Sequence, residues 1–339
     1  MNEFEVKHVP DDFLVRESVA VRLVRVESAT HRLTLLRKCG YTTMETVRAI
    51  AAAFNVPEQS IGYCGLKDED GVTEQLISVP IAIPIAAING VGVETGDRWY
   101  TTQHYGFSDA ALRVGQMEGN SFKVVLRNLE PRHTTGFFSR KKINFMFLNY
   151  FDTQRFGLPG GPHRTHLVGA AMLDGRWDEA RKVLIELNAP ESRLAADWSG
   201  PSREFFFQLD ERVMSFYPAA HASFAWNEEL ARLATATVDD RVHRLVVDGI
   251  DFTYVTETSA AARVLAAAYE LPITRYKFDA GAPAPSASVR ATVAQTVIEV
   301  DGREDDEHFP GRKRVELSFF LPSGSYATAA IRQLATQIS

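Results

Sequence analysis

Cysteine is scarce in this chain of 339 residues. Its two cysteines, Cys39 and Cys64, form no C-x-x-C motif, and two thiols are too few for a disulfide framework. The first residues, Met1–Val6, contain neither the basic nor the apolar stretch of a secretory signal. We therefore expect a protein of a reducing compartment and predict a cytoplasmic location.

Long hydrophobic runs are also missing. The longest apolar stretch, Leu76–Ile88, is shorter than the ~20 residues that a bilayer-spanning helix needs. Pro80 and Pro84 interrupt it, which favours an edge strand followed by a turn. No membrane association is expected.

Positive charge is in short supply as well. Lys and Arg number 37 against 43 Asp and Glu, which leaves a net charge of -6. Phosphate contacts normally draw on a surplus of basic residues, so a nucleic-acid function would have to rest on local clusters. With 45% hydrophobic and 24% charged residues, the composition is that of a soluble globular protein. At roughly 150 residues per domain, the length predicts about two domains.

Motifs for nucleotide, hydrolase and metal chemistry are absent. Neither G-x-x-x-x-G-K-[ST] nor G-x-S-x-G occurs, which disfavours an ATPase, a GTPase and an α/β serine hydrolase. Gly90–Gly96 is rich in glycine but does not open a helical pattern, so it predicts a turn between strands. His163 and His166 have no further Cys or His at a spacing that would complete a tetrahedral site. We expect no metal and no nucleotide cofactor.

The hydrophobic pattern predicts both helices and strands. Thr42 and Glu45 form a capping box before a helical pattern that ends at Pro57. Ser121–Arg127 alternates like a half-buried strand, and Phe138–Phe151 has helical spacing. The same criteria predict helices at Arg176–Leu187 and Phe224–Ala234 and strands at Val6–Val26, Val289–Val300 and Arg314–Phe320.

Two glycine- or proline-rich segments divide the chain. Gly157–Gly161 comes first, and Asp279–Ser288 has the composition of an Ala/Pro linker. The sequence between them is predicted to be mostly helical, whereas strands are predicted on either side. This pattern favours one domain inserted into another domain that is split in sequence. We predict a first domain from 1–157 that is completed by 289–339, with an inserted domain at 158–288.

The segment Gly62–Gln75 is the main candidate for chemistry, because Lys67 and Asp68 lie between glycines after a predicted helix. Taken alone, it fits a polar surface turn equally well, since Asp is a common turn residue. Two other segments favour a site. Pro10–Glu17 places an aromatic residue and a carboxylate four positions apart, and Gly119–Phe122 places an amide and an aromatic residue at the head of a strand.

Together these segments resemble the TruD family of pseudouridine synthases, whose members isomerise uridine in tRNA. The resemblance is specific because five motifs occur in order along the chain. They are Lys7–Glu17, Gly65–Gln75, Gly119–Phe122, Asn149–Gly157 and Leu321–Thr328. The resemblance implies an α+β fold, in which a pseudouridine-synthase-type catalytic domain with a mixed, largely antiparallel sheet is interrupted by an inserted α/β TRUD domain.

By the same resemblance, Asp68 is the catalytic aspartate of a tRNA pseudouridine synthase, an isomerase, and uridine 13 of tRNA is its target. The chemistry needs a carboxylate beside the ribose of a flipped uridine, which attacks the nucleoside or removes a sugar proton while the N-glycosidic bond breaks. The base then turns and rejoins through carbon. No cofactor is required.

The resemblance also implies substrate-binding residues. Lys7 and Lys67 would line the site, where an ammonium group favours the charged form of Asp68; ordinary exposed lysines are the alternative. Phe13 and Phe122 would lie near the target base, where stacking contributes ~1 to 3 kcal/mol. For Phe122, on the apolar face of its strand, packing in the core is a competing interpretation.

Four further positions match the family. Glu17 shares a strand face with Phe13 and is expected to organise the site. Asn120 is expected to hydrogen-bond a base edge or to cap a turn. Gln154 and Arg155 are expected at the junction of the two domains, where Arg155 contacts phosphate or forms an incidental ion pair.

The chain also departs from the family pattern. Many relatives carry a basic run before the glycine equivalent to Gly119, where this chain reads Tyr105–Arg113. After the linker, where relatives often have adjacent arginines, this chain has only Arg290, and it has Arg332–Gln333 where Arg-Glu is usual. These differences concern RNA affinity and target choice more than the chemistry.

Two alternatives to a synthase stay open at this point. One is a catalytically idle RNA-binding or RNA-folding protein on the same scaffold, which the smaller number of basic residues at these positions favours. The other is a glycosidase that uses Glu17 and Asp68, since glycosidic cleavage also employs paired carboxylates. For the synthase we expect tRNA as the substrate and a monomer. The expected RNA-binding stripe consists of Lys123, Arg127, Arg140, Lys141, Lys142, Arg155 and Arg164.

Overall fold

The computed structural model describes residues 4–67, 69–89, 92–130, 137, 139–157, 161–239, 241–279 and 282–338. The strands are β1 Glu5–Val6, β2 Phe13–Val19, β3 His31–Cys39, β4 Gly62–Tyr63, β5 Val72–Pro80, β6 Gly92–Thr95, β7 Arg98–Ser108, β8 Met117–Leu129, β9 Lys142–Leu148, β10 Val242–Val247, β11 Ile250–Val255, β12 Glu270–Asp279, β13 Ala282–Ala291, β14 Val293–Asp305 and β15 Lys313–Pro322. The α-helices are α1 Thr43–Phe54, α2 Ile85–Ile88, α3 Thr165–Leu173, α4 Trp177–Glu186, α5 Ser192–Asp197, α6 Ser202–Gln208, α7 Glu211–Val238, α8 Thr258–Ala267 and α9 Ala327–Ile338.

Eleven of the strands form one sheet in the order β6-β7-β3-β5-β2-β8-β15-β14-β9, with β1 paired to β8 and β4 to β5. The pairing of β2 with β5 is parallel, whereas β8 pairs antiparallel with both β2 and β15. The sheet is therefore mixed and largely antiparallel, which confirms the predicted α+β class. Separate two-stranded sheets are formed by β10 with β11 and by β12 with β13.

Helix α1 begins and packs as its sequence predicts. Thr42 Oγ1 accepts a hydrogen bond from the N–H of Glu45 at 3.1 Å, and Glu45 Oε2 accepts one from the N–H of Thr42 at 2.7 Å. Val47 and Ile50 are buried against Leu36 of β3 in one apolar cluster. The reciprocal cap and the apolar face are both local features, which is why this helix is readable from the sequence.

The chain divides into two compact units. One contains residues 1–144 and 296–324, and the other contains 145–295 and 325–338. The predicted domain boundaries at 157/158 and 288/289 stay a prediction. In the second unit the long helix α7 packs against α3 and β12, and its aromatic core includes Tyr150, Trp226 and Phe252.

One helix prediction and one edge-strand prediction were wrong. The segment Phe138–Phe151, predicted as a helix, contains strand β9, in which Ile143 and Phe145 are buried while Lys142 and Asn144 are exposed. This period of two suits a sheet, and pairing in the sheet overrides the helical spacing of the apolar residues. Leu76 was assigned to an edge strand, but β5 lies between β3 and β2. Pro80 is tolerated there because it is the last residue of the strand.

The predicted Ala/Pro linker is also wrong. Its described residues from Ala282 onward form β13, which pairs with β12 over ten positions. Pro283 and Pro285 lack an N–H donor, and such residues are tolerated in strands at sheet edges. The segment from Val6 to Val26 contains the end of β1 and all of β2. Both strands pair with β8 rather than with each other. None of the helices in the described part of the chain is long and apolar enough to cross a membrane.

Candidate functional site

Four of the predicted site residues lie on one face of the sheet in the first unit. In the register of β2 and β8, Glu17 lies opposite Asn120, and Val15 lies opposite Phe122. Side chains two residues apart on a strand point to the same face, so Phe13 and Glu17 share the face of Asn120 and Phe122. The motifs at Pro10–Glu17 and Gly119–Phe122 are therefore adjacent in the sheet.

Glu17 and Lys67 form a buried ion pair in this face. Lys67 Nζ lies 2.5 Å from Glu17 Oε2, and their side chains are 3% and 0% exposed. Burial raises the pKa of Glu17 above its ordinary value, while the charge and hydrogen bond of Lys67 act in the opposite direction. A buried pair of this kind is costly to break because either partner alone would be an uncompensated charge. It therefore holds Lys67, the residue before Asp68, on the sheet.

The backbone around Lys67 is held by residues that the sequence analysis did not select. The N–H of Lys67 donates to Thr43 Oγ1 at 2.9 Å, and that hydroxyl donates to Gln75 Oε1 at 2.9 Å. Gln75 Nε2 in turn donates to the carbonyl oxygen of Gly65 at 3.1 Å. Lys38 Nζ reaches the carbonyl oxygen of Lys67 at 3.4 Å. A lysine two positions after Leu36, and therefore on the same face of β3, is the signal that could have identified Lys38.

Gly71 brings the other end of this loop against β2. Its φ is +98°, and a Cβ built there would lie 2.5 Å from the carbonyl oxygen of Phe13. Only glycine combines this backbone conformation with so close an approach. The loop and the start of β2 therefore touch at a position where no side chain fits.

Gly71→Ala is expected to lower the free energy of unfolding by about 2–3 kcal/mol, because it adds a steric clash to the cost of left-handed backbone. Gly96→Ala is the matched control, since Gly96 also has a positive φ of +60° but nothing lies within 4 Å of its built Cβ. It should cost about 1–2 kcal/mol. Urea unfolding of both variants measures the difference, and equal losses would show that the approach to Phe13 has no energetic consequence.

Phe13 and Phe122 are buried aromatic residues beside the ion pair. Phe13 is 2% exposed and Phe122 is 8% exposed, and their ring centroids are 6.0 Å apart. The ring of Phe122 stacks on that of Phe319 at 5.3 Å. Lys7, at a φ of +61°, holds its Nζ 4.4 Å from the centroid of Phe13. Packing thus occupies both rings, and their stacking on a target base stays a prediction.

Asn120 contributes a polar atom that nothing in the described part of the chain satisfies. Its Oδ1 is buried and accepts no hydrogen bond there, and the same holds for Glu17 Oε1. Buried acceptors are usually paired, because an unsatisfied one costs ~1 to 3 kcal/mol. Because the side chain of Glu17 is fully buried with Lys67, Asn120 Oδ1 is the oxygen of the two that we assign to a donor binding in this face.

Asp68 lies outside the described residues. Lys67, the residue before it, is held by Glu17 and by Thr43. The carbonyl oxygen of Glu69, the residue after it, accepts a hydrogen bond from the N–H of Gly40 at 3.1 Å. Burial raises the pKa of nearby Cys64 to about 11, so this thiol stays protonated and is a poor nucleophile. Among the residues that the structure describes, no group of three or more His, Cys, Asp or Glu is arranged to hold a metal ion.

Gln154 and Arg155 belong to the second unit, in the single helical turn Thr153–Arg155. Gln154 is exposed, whereas Arg155 is half-buried. Arg155 Nε donates to Ser223 Oγ at 3.3 Å, and its guanidinium lies 5.2 Å from the ring centroid of Phe216. No described carboxylate pairs with it, so an incidental ion pair does not account for this arginine.

The predicted basic stripe is wrong at Arg127, which is only 4% exposed. Its Nε donates to Asp12 at 2.8 Å, and its Nη1 donates to Asp306 at 3.1 Å. Arg127 therefore joins β8 to the turn before Phe13 rather than facing RNA. Three other members are paired with carboxylates of their own unit at distances of 2.6–3.2 Å: Lys123 with Glu316, Lys142 with Glu299 and Arg164 with Glu186.

A cavity of about 660 Å³ lies in the first unit on the sheet face that carries Leu14 and Arg16. Phe122 contributes to its lining, but Glu17, Lys67 and Asn120 do not. Arg16 in its wall is paired with Glu74 at 2.6 Å. The cavity is therefore not the site that the motifs define.

A solved structure shows the same fold. The crystal structure of a TruD protein from Methanosarcina mazei superposes with a TM-score of 0.62, covering 97% of this chain and 93% of its own, at 18% identity. At this identity the likeness concerns the fold, which is that of a pseudouridine-synthase-type protein with a mixed sheet.

Curated relatives named tRNA pseudouridine synthase D are more similar in sequence. The protein from Aquifex aeolicus is 33% identical over 189 residues, which cover 54% of this chain and 46% of that protein. The protein from Geobacter sulfurreducens is also 33% identical over 189 residues, covering 53% and 42%. The protein from Colwellia psychrerythraea is 28% identical over 327 residues, covering 90% and 82%. The chain thus spans less than half the length of the first two relatives.

The family described as tRNA pseudouridine synthase D (TruD) matches residues 3–198. This match covers more than half of the chain and includes the segments that carry Glu17, Lys67 and Asn120. The chain therefore belongs to the TruD family.

Proposed function

We propose that this protein is a tRNA pseudouridine synthase that converts uridine 13 of tRNA to pseudouridine, without a cofactor, through Asp68. The observation that carries the proposal is the buried ion pair between Glu17 of β2 and Lys67, the residue before Asp68, whose Nζ lies 2.5 Å from Glu17 Oε2. Membership of the TruD family and the names of the relatives support the same activity. We further propose that the protein acts in the cytoplasm as a monomer.

In this proposal Asp68 attacks the flipped nucleoside or removes a proton from its ribose while the bond between N1 and the sugar breaks. The free base turns, its C5 bonds to the sugar, the proton of C5 is lost, and N1 gains a proton. No atom is added or removed, so the reaction needs no external reagent. The residues of this chain position the nucleoside and Asp68.

Each described site residue has a role in this scheme. Glu17 is a positioning residue that acts through Lys67, because its own side chain is fully buried. Asn120 presents an unpaired buried Oδ1, which suits an N–H donor on the edge of the uracil ring. Lys7, Phe13 and Phe122 form the adjoining wall against which the base lies. Gln154 and Arg155 contact the RNA outside the target nucleotide.

The glycosidase alternative is not favoured. A retaining or inverting glycosidase needs two carboxyl groups that both reach the scissile bond or its attacking water. The side chain of Glu17 is 0% exposed and is occupied by Lys67. Glu17 therefore does not offer the second carboxyl group.

Incubation of the purified protein with unmodified tRNA, followed by chemical mapping of pseudouridine, tests the proposal. We expect conversion of uridine 13 with no release of free uracil. A map of tRNA from cells with and without the gene should show the same position. Binding of tRNA without conversion would support the idle RNA-binding protein, and release of free base would support the glycosidase.

A further inference from the structure

The junction of β3 and α1 holds the chain on both sides of position 68. The N–H of Gly40 donates to the carbonyl oxygen of Glu69 at 3.1 Å. Thr43 Oγ1 accepts a hydrogen bond from the N–H of Lys67 at 2.9 Å. Lys38 Nζ, near the end of β3, donates to the carbonyl oxygen of Lys67 at 3.4 Å. Three groups of one junction therefore fix the residues immediately before and after position 68.

Lys38 is the costliest of these three groups to bury. The residue is 0% exposed, and its Nζ also donates to the carbonyl oxygen of Tyr41 at 2.7 Å. A neutral donor would satisfy a carbonyl group equally well, whereas removing an ammonium group from water carries a large desolvation penalty. The full charge of Lys38 therefore indicates a requirement beyond these hydrogen bonds.

The charge of Lys67 does not meet that requirement. Its Nζ lies 2.5 Å from Glu17 Oε2, so the lysine that precedes Asp68 in the motif has its charge committed to Glu17. Lys38 reaches the same place from β3, because the carbonyl oxygen of Lys67 that it contacts belongs to the planar peptide group joining residues 67 and 68. A positive charge within ~4–6 Å of a carboxyl group favours its ionised form.

We propose that Lys38 is a positioning residue for Asp68, which holds the peptide group before the catalytic carboxylate and supplies the positive charge beside it. The inference rests on the proposed function for the role of Asp68. Lys38 touches neither the base nor the ribose, because its side chain is fully buried. It acts before the RNA binds: the loop is held and the carboxylate is kept ionised, so neither has to rearrange during the reaction.

Lys38→Met tests this role, because it removes the ammonium group and keeps an unbranched side chain. We expect turnover in single-turnover conversion of tRNA to fall by about 10- to 100-fold, since a slightly displaced catalytic group costs up to ~10²-fold. Binding of tRNA should stay within a few-fold. The acid limb of the pH profile should move up by about one to three pH units, because the charge that favours ionised Asp68 is lost.

Arg37→Met is the matched control. Arg37 is the neighbouring residue of β3, its side chain is 53% exposed, and the variant loses the same charge. Both its turnover and its acid limb should equal those of the unchanged protein. If Lys38→Met also keeps both, the proposal is wrong.

Lys38→Gln separates the hydrogen bond from the charge. Its amide can still donate to the carbonyl oxygen of Lys67 but carries no charge. We therefore expect it to recover part of the turnover lost in Lys38→Met and to keep the shifted acid limb. Urea unfolding is measured for every variant. If both Lys38 variants fail to fold while Arg37→Met folds, Lys38 serves the fold alone and the proposal is rejected.

NMR of protein labelled at the aspartate carboxyl carbons gives a readout that needs no activity. The signal of Asp68 is identified by its loss in Asp68→Asn. It should titrate at a higher pH in Lys38→Met than in the unchanged protein and in Arg37→Met, and equal titration would overturn the proposal. The label also separates Asp68 from Glu17, whose pKa is raised by burial. If this shift is found but the unchanged protein forms no pseudouridine, Lys38 acts on Asp68 as inferred and the proposed function is wrong.

Discussion

Asp68→Ala is expected to abolish pseudouridine formation and to leave tRNA binding within a few-fold of the unchanged protein. A residue that reacts with the substrate supplies most of the rate, so we expect a loss of at least ~10⁴-fold in turnover. Binding persists because one carboxylate contributes nothing to the attraction of phosphate. Single-turnover conversion of tRNA, with binding measured on the same preparation, separates the two effects.

Asp70→Ala is the matched control. Asp70 lies two residues further along the same loop, is exposed, and loses the same charge. It should keep turnover within a few-fold. Normal product from Asp68→Ala would remove the proposed mechanism, and equal losses in both variants would mean that the loop, rather than Asp68, is what the reaction requires.

Arg127→Met is expected to lower the free energy of unfolding by about 3–5 kcal/mol at pH 7, because it leaves Asp12 and Asp306 as buried charges without their partner. Both aspartates are at most 5% exposed. Although burial raises the pKa of Asp306, hydrogen bonds from the N–H groups of Asn128 and His308 and from Arg127 bring it below its ordinary value. Equilibrium unfolding in urea measures the loss.

The sign of the pH dependence follows from that lowered pKa. A carboxyl group whose pKa is lower in the folded state stabilises the protein above its unfolded pKa of about 4, and this contribution is lost as the pH falls through the folded value. In Arg127→Met, Asp306 loses its cation, so protonation of Asp306 relieves the buried charge. The difference from the unchanged protein should therefore shrink toward pH 4.

Lys123→Met provides the control on the same strand. Lys123 pairs with Glu316 at 2.8 Å, but its side chain is 49% exposed. Exposed pairs contribute little, so we expect a loss below about 1 kcal/mol. If Arg127→Met were as mild as Lys123→Met, the buried network would not stabilise the fold.

The comparison of α1 with β9 shows how far local patterns reach. The cap of Thr42 and Glu45 and the apolar face of α1 lie within one segment, and both are present in the structure. In Phe138–Phe151 the apolar residues fit a helix as well as a strand, and only pairing in the sheet selects the strand. The same reason explains β13, whose alanines and prolines resemble a linker until β12 is placed beside it.

Residues of the candidate site divide in the same way. Glu17, Asn120 and Phe122 are recognisable from short motifs, and the structure brings them onto one face of the sheet, where Glu17 pairs with Lys67. Thr43 and Gln75, which support the loop at Lys67, carry no motif of their own. Arg127 resembles a surface cation in the sequence. The alternation of the strand gives no sign that its partner Asp306 lies far along the chain.

By itself the sequence determined the α+β class, the capped helix α1, the alternating strand β8 and the family to which the chain belongs, because these depend on periodicity and on motifs within short segments. Only the tertiary structure decided that β5 is an interior strand, that Arg127 is a buried link and that Arg155 donates to Ser223 of α7. The physical reason is that burial and charge pairing depend on residues that are remote in sequence: Arg127 and Asp306 are 179 positions apart, yet they share a hydrogen bond of 3.1 Å.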